Sequence, residues 1–587
     1  MMLLFCYLAS STWLFGKIYG TPADNLETRQ GPGTHYAITG PIGGVHPRLE
    51  IRQLQQDPIM WNLFLLALRD FQAIDQNNID SYYQIAGKTR VPDVMGELAD
   101  FVLGIHGMPW YDWDGVTFNT SNGRPPQIGY CPHHDLLFST WHRAYTLLFE
   151  QKLQVIAIGI ANGFSDASYQ DAANYWDWAQ SVPQGDPVFP VVLRTPRVSV
   201  TLQDGFRVEI DNPLYDYIFH PLDNSQINST GCNFGQNGAV CDTSQRTVRR
   251  ATNASGTWIS DHDAVDRDLR QQLPSLRQTV YLAITQYRSF NDLSNDGNCG
   301  ESPVSSIESP HNNIHNAMDP GHMSPPAVAA FDPLFWLHHS NVDRQIALFQ
   351  ALFPDTFVER CIASQITWTI QRNTALDVVS PLTPFHRTPG GEWWTSSNSR
   401  NIVLLGYTYP ELTDSPSNDT LISRINTLYR DTRLVAHDKE FDPLQHDVEY
   451  VVQVEMPSST NYSYNVLLFF GDVFEDPTTW SSQKSFISKT SSVIAMSATR
   501  YFSTLGTIVL TDLVNSMLVG DHVRREDIPE HLKTNLQWRL ELSNHEIPRT
   551  DIPGLKLTLL STEVEKAASV MELDRWAGGF NVIGDID

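Results

Sequence analysis

Nine of the 19 histidines in this 587-residue chain fall in two short windows. Imidazole suits copper, zinc, iron and nickel as a ligand. The first window holds His106, His133, His134 and His142, and the second holds His311, His315, His322, His338 and His339. In SPHNNIH, Ser309 is placed to cap a helix and Pro310 to take its first position, which sets His311 and His315 one turn apart on one face. The residues between them are Asn312, Asn313 and Ile314, so the glutamate base of an HExxH zinc peptidase is missing. Neither window offers an evident bridging carboxylate, which argues against a carboxylate di-iron centre. Two sets of three imidazoles favour two copper ions, which together can pass two electrons to O2.

Helices must present these side chains. Apolar spacing predicts helices after Pro58, over 94–106, 139–158, 276–287 and 331–352. His106 ends the second of these, with Gly107 suited to a left-handed cap. His142 falls early on the third, and Asp332–Pro333 opens the one carrying His338 and His339. His133 lies in the loop CPHHD. A mainly α catalytic unit is expected, a four-helix bundle with long loops shaping the mouth of its site. After about residue 410 the texture changes to β-branched and alternating stretches between Pro, Asn and Gly turns, predicting a C-terminal β-sandwich over 441–587 behind a linker at 411–440.

The formal charge of −26 excludes nucleic acid and anionic membrane surfaces as partners, because both require clustered cations. Residues 1–20 read as a signal peptide, and no later stretch is apolar and long enough to span a bilayer. With sequons at Asn119, Asn228, Asn253, Asn418 and Asn461, this points to the secretory pathway, secreted or wall-associated. Of six cysteines, Cys6 leaves with the signal. The spacing allows disulfides Cys232–Cys241 and Cys299–Cys361, which leaves Cys131 alone beside the first histidine window.

The segments PRLEIRQL, GIHGMPW, CPHHDLLFSTWHRAY, NYWDW, HNNIH, GHMSPPAVAAFDPLFWLHHSNVDR and GYTYPEL together resemble the fungal tyrosinases, polyphenol oxidases with a binuclear type 3 copper site. The resemblance spans about residues 46–410. It implies that His106, His133 and His142 hold one copper and His311, His315 and His339 the other, with O2 as co-substrate. His338 is then the neighbour of a ligand, His134 a bystander facing solvent or lying beside a ligand, and His322 a structural bystander. The family's thioether would join Cys131 to His133, and Asp343 and Asp177 are expected to steady the ligand imidazoles by hydrogen bonding.

The same resemblance implies a small phenolic substrate. Glu308 and Asn312 match the pair that holds a water proposed to deprotonate a monophenol, and Asn316, Ser324 and Pro326 fall at the substrate entrance. SPPAVAA lacks the bulky Phe found there in many plant catechol oxidases. Tyr407 and Tyr409 would close the catalytic unit against Arg48 or Arg52. The sandwich would shield the copper pocket, with Tyr501 or Phe502 as plug, until an activating protease removes it. The implied activity is ortho-hydroxylation of monophenols and oxidation of o-diphenols to o-quinones, feeding melanin-type pigment. A catechol or o-aminophenol oxidase is the alternative, and a haemocyanin-like O2 carrier, which must keep phenols out, is a remoter one. The oligomeric state stays open.

Overall fold

The structure, a computed structural model, describes residues 34–87, 105–108, 112–117, 129–164, 174–225, 227, 232, 237–297, 299, 304, 306–363, 366–430, 447–457, 462–493, 503–518 and 523–587. The expected signal peptide, most of the 94–106 helix, three of the five sequons (Asn119, Asn228, Asn461), Tyr501 and Phe502 lie outside them. Asn253 and Asn418 are exposed. No described helix is long and apolar enough to cross a membrane.

Five helices frame the first unit: α1 Pro58–Gln72, α2 Phe138–Ala161, α3 His262–Gln286, α4 Glu308–Ala317 and α5 Leu334–Leu352. Helix α1 starts where Asp57 accepts the backbone N–H groups of Ile59 and Met60, and Pro58 supplies a preset first turn. Its buried residues, Leu63 to Leu68 and Phe71, join one apolar core with Leu147, Leu148 and Phe149 of α2 and Phe335 and Trp336 of α5. Helix α3 starts fourteen residues before the expected 276 because polar residues and Pro274 hide its beginning. Pro274 sits on the exposed face, where the carbonyl it cannot pair with can turn to water.

Helix α4 also begins earlier than its sequence signals. Glu308 is its first residue, and Ser306 rather than Ser309 receives the first N–H, from Glu308. Ser309 and Pro310 therefore lie inside the first turn, and His311 and His315 keep their one-turn spacing. The 411–440 stretch is more than a linker: α6 (Asn418–Tyr429) buries Leu421, Ile425 and Tyr429 in the main core. Disulfides join Cys232 to Cys241 and Cys299 to Cys361.

The C-terminal unit is two antiparallel sheets. One contains β1 (Asp447–Pro457), β4 (Ser503–Val509), β7 (Lys556–Glu565), β8 (Arg575–Trp576) and β9 (Asn581–Asp585), with β1 between β4 and β7. The other runs in the order β3 (Phe486–Ser492), β2 (Tyr464–Phe470), β5 (Leu536–Leu542), β6 (His545–Ile547). Val452 pairs with Ile508 and Leu559, and Leu468 with Trp538; these side chains fill the space between the sheets. The alternate positions Val451, Val509 and Leu560 point the other way and belong to the helical core, so the period-two pattern of the strands welds the sandwich onto the first unit.

Candidate metal centre

Seven buried histidines and Cys131 converge in two groups. His106, Cys131, His133 and His142 offer ligand atoms within 4.8 Å of one another, as do His311, His315, His338 and His339. His142 projects from α2, His311 and His315 from α4, and His338 and His339 from α5. His106 lies in a bend where Gly107 is needed for close approach rather than for a left-handed cap: a Cβ there would lie 2.1 Å from the carbonyl oxygen of Ala327. That carbonyl accepts the N–H of Met108 at 2.7 Å, pinning the His106 bend to the segment before α5.

The orientation of the rings is set by their far nitrogens. Nδ1 of His106 is 2.9 Å from the carbonyl of Pro326, that of His142 2.7 Å from Phe138, and that of His315 2.6 Å from Met323. Nδ1 of His311 is 2.9 Å from Oδ1 of Asn312. A carbonyl or amide oxygen can only accept, so each of these Nδ1 atoms carries the proton and each Nε2 presents a lone pair. Nε2 of His311 lies 3.1 Å from that of His315 and 3.3 Å from that of His339, a ring whose Nδ1 has no partner. Nε2 of His106 is buried without a hydrogen-bond partner. Lone pairs so crowded repel unless a cation lies among them, and burial keeps the rings neutral by pushing His106 down to about 3 and His315 to about 4. The donor set fits two copper ions.

Adjacent His338 and His339 differ in direction. His339 aims Nε2 at His311, whereas His338 stacks its ring on that of His311 with centroids 4.9 Å apart, and neither of its nitrogens has a partner. Cys131 is a free, buried thiol whose sulfur lies 3.2 Å from Nε2 of His142, and 3.5 Å from Nδ1 and 3.8 Å from Nε2 of His133. The carbon flanked by those two nitrogens is Cε1. Burial pushes this thiol well above its ordinary value.

The carboxylates expected to steady the ligands do something else. Asp343 binds Arg48, Arg143, Tyr407 and Tyr409, and Asp177 binds Arg344 and Tyr429; neither makes a hydrogen bond to a window histidine. Buried arginines take up both carboxylates: Arg48 and Arg143 pair with Asp343, and Arg344 with Asp177. Arg48 is the arginine that meets the tyrosines, with its guanidinium carbon 3.5 Å from the centre of the Tyr407 ring, while Arg52 pairs with Glu50. His322 accepts the N–H of Val248 and lies away from the metal groups. Another trio, His35, Asp114 and His386, is a hydrogen-bonded tie: one Asp114 oxygen takes the Tyr36 N–H and His386 Nδ1, each at 2.8 Å.

Asp296, which no sequence motif singled out, joins Glu308 and His134 in a further buried trio. Both Glu308 oxygens accept backbone N–H groups, from His134 at 2.8 Å and from Asp296 at 3.2 Å. Burial opposes protonation of His134, but Asp296 and Glu308 outweigh it and push its pKa up to about 10. Burial and the nearby Asp296 carboxylate raise Glu308 well above its ordinary value. Of the two places expected for His134, solvent or beside a ligand, the structure shows the second: it is buried and bonded to Asp296 and Glu308.

Strand β3 lies directly over α4. Asn313 donates its amide to the Lys489 carbonyl at 3.0 Å, and Asn316 donates to Ser492 at 3.4 Å. Asn316 and Ser324 line a cleft with Tyr464, Asn465 and Glu541 of the sandwich. Pro326 instead turns its carbonyl to His106.

A helical unit that sets two groups of neutral imidazoles face to face, beneath a β-sandwich, defines a binuclear copper protein. The chain matches the common central domain of tyrosinase over residues 98–352 and the tyrosinase C-terminal domain over residues 449–559. It is 35% identical over 412 residues to the tyrosinase of Podospora anserina, covering 66% of this chain and 67% of that one. To the tyrosinase of Neurospora crassa it is 29% identical, covering 90% and 94%. The solved structure of recombinant mushroom tyrosinase superposes with a TM-score of 0.76 at 25% identity, over 94% of this chain and 99% of that one. The chain belongs to the tyrosinase family and is a copper-dependent phenol oxidase.

Proposed function

We propose that the protein is a latent tyrosinase that hydroxylates monophenols beside their hydroxyl group and oxidises o-diphenols to o-quinones, the precursors of melanin-type pigment. His106, His133 and His142 would hold one copper and His311, His315 and His339 the other. When bound, the copper pair supplies the electrons that reduce O2 and the route by which oxygen reaches the ring. The observation that supports this reading is the convergence of imidazole Nε2 atoms, four of them on rings, His106, His142, His311 and His315, whose Nδ1 is held by a carbonyl or amide oxygen.

The protein's own groups then act on the phenol. A phenol of pKa near 10 must lose its proton before its oxygen can bind a metal. Glu308, made more basic by burial, is the acceptor for that proton, delivered through a water shared with Asn312. A thioether between Cys131 and Cε1 of His133 would fix the ring of the loop ligand. Strand β3 and the residues facing Asn316 and Ser324 exclude substrate until the sandwich is released. A secretory route is supported by the apolar stretch of residues 2–16 and by the exposed sequons Asn253 and Asn418.

The test loads copper, cleaves the chain between α6 and β1, and follows oxygen uptake with tyrosine, a catechol and an o-aminophenol. Oxidation of tyrosine and catechol only after cleavage is the expected outcome. Oxidation of catechol without tyrosine would reduce the assignment to an o-diphenol oxidase. Reversible O2 binding without turnover would make the chain a carrier.

A further inference from the structure

We propose that Asp296 is a positioning residue for phenol deprotonation, acting on Glu308 and Asn312 together and working with His134. This rests on the reading of Glu308 and Asn312 as the hydroxylation pair. One carboxylate oxygen of Asp296 accepts the side-chain amide of Asn312 at 3.1 Å. Because a carboxylate only accepts, it fixes which way the Asn312 amide points, and Oδ1 is left to face Nδ1 of His311 at 2.9 Å. Asp296 thereby sets the tautomer of His311 through one intervening side chain.

The same residue also sets the Glu308 carboxylate. Its backbone N–H holds one Glu308 oxygen while the backbone N–H of His134 holds the other. The second Asp296 oxygen pairs with Nδ1 of His134, which keeps the two backbone donors at a fixed separation. The peptide after Asp296 is seated closely, since a Cβ on Gly297 would lie 2.1 Å from the His134 carbonyl oxygen. Glu308, Asn312 and His311 are therefore oriented by one His134–Asp296 unit.

That unit is clasped by the sandwich. Nε2 of His134 donates to the carbonyl of Val493 at 2.7 Å, and the Asp296 carbonyl accepts the N–H of Leu505 at 3.3 Å. The shielding domain thus touches the groups that position the base as well as covering the pocket.

The test uses the copper-loaded, cleaved enzyme and the ratio of kcat on tyrosine to kcat on catechol. Asp296→Asn should lower that ratio about 10-fold, because misplacing a proton acceptor slows only the step that needs it, with two copper ions per chain retained. Equal losses on both substrates at full copper, or an unchanged ratio, would overturn the proposal. Should Asp296→Asn fail to fold, His134→Asn, which keeps a short donor toward Asp296, must lower the ratio in the same sense, and an unchanged ratio there overturns it. Glu308→Gln is measured in parallel. If that variant leaves the ratio unchanged, the hydroxylation reading itself falls; if it lowers the ratio while Asp296→Asn does not, only the role of Asp296 falls.

Discussion

Lys489 of β3 reaches across the interface between the two units and places its ammonium nitrogen 2.9 and 3.1 Å from the two carboxylate oxygens of Asp268 on α3. Both side chains are 2% exposed. Removing one partner of a buried pair leaves a charge without compensation, which costs about 3 kcal/mol or more. Lys489→Ala is therefore expected to lower the urea midpoint of the full chain and to raise its oxygen uptake on catechol before any proteolysis. The double replacement Lys489→Met with Asp268→Leu should recover part of the midpoint, because no charge is left orphaned and the remaining loss is the bond that Asp268 accepts from the buried Gln272 amide at 2.8 Å. A Lys489→Ala chain that is destabilised yet stays fully latent would show that this pair holds the fold without holding the shield in place.

The adjacent histidines of α5 predict opposite outcomes. His339→Ala removes a lone pair aimed at His311, so copper content should fall from two ions toward one and phenol oxidation should drop by about 100-fold or more. His338→Ala removes a ring stacked on His311 with no nitrogen engaged, so both ions should remain and the loss should be small. Metal analysis of the two purified variants decides it. Reversed copper contents would exchange their roles.

How far the site could be read from sequence depends on how local each signal was. The i, i+4 spacing of His311 and His315 survives a displaced helix start, because helical periodicity does not depend on the cap. The start itself was misread because Ser309 and Pro310 carry the usual cap chemistry while Ser306 performs it. Asp343, one helical turn after His339, and Asp177 in NYWDW looked like ligand supports by sequence proximity, but buried arginines from distant parts of the chain, Arg48, Arg143 and Arg344, take both carboxylates, and that is tertiary information. Asp296 carried no motif at all. Its meaning comes from Glu308, Asn312 and His134 meeting around it, which is tertiary information. In the sandwich, the β-branched and alternating stretches DVEYVVQVEM, YSYNVLLFFGD, LQWRLEL and LKLTLLS match β1, β2, β5 and β7, and SVIAMSATRYF lies almost wholly outside the described residues; β3 and β4 were not legible, and in β3 FISKTSS is polar because it faces the polar surface of α4.

The sulfur of Cys131, near both nitrogens of His133, predicts a covalent change visible by mass. Peptides spanning 129–137 from copper-loaded protein should be lighter by two hydrogens than the sum of their residues and should resist alkylation. Cys131→Ser should retain the fold, since serine is close in volume, but should bind the first copper more weakly by about 10-fold, the size of effect seen when a ligand loses a supporting partner. An alkylatable Cys131 in fully active enzyme would remove the thioether from the mechanism.

Buried neutral histidines outside the metal groups should make the fold acid-sensitive. Burial, reinforced by Arg249 and Arg194, pushes His262 down to about 3, and burial pushes His322 down to about 4, from an ordinary 6.5. Above 6.5 neither folded nor unfolded chain carries the extra protons. Below it the unfolded chain takes them up while the folded chain does not, so the stability present at neutral pH is lost as the pH falls from 6.5 toward 3. Each such group contributes a slope approaching about 1.4 kcal/mol per pH unit. His262, packed against Phe189 and Tyr215, lies away from both metal groups, so His262→Gln isolates one of these terms. Between about pH 7.5 and about pH 5 the parent should lose about 2 kcal/mol more than this variant, read from urea midpoints. Parallel curves for the two proteins would mean that His262 takes up its proton at the same pH in the native and the unfolded chain.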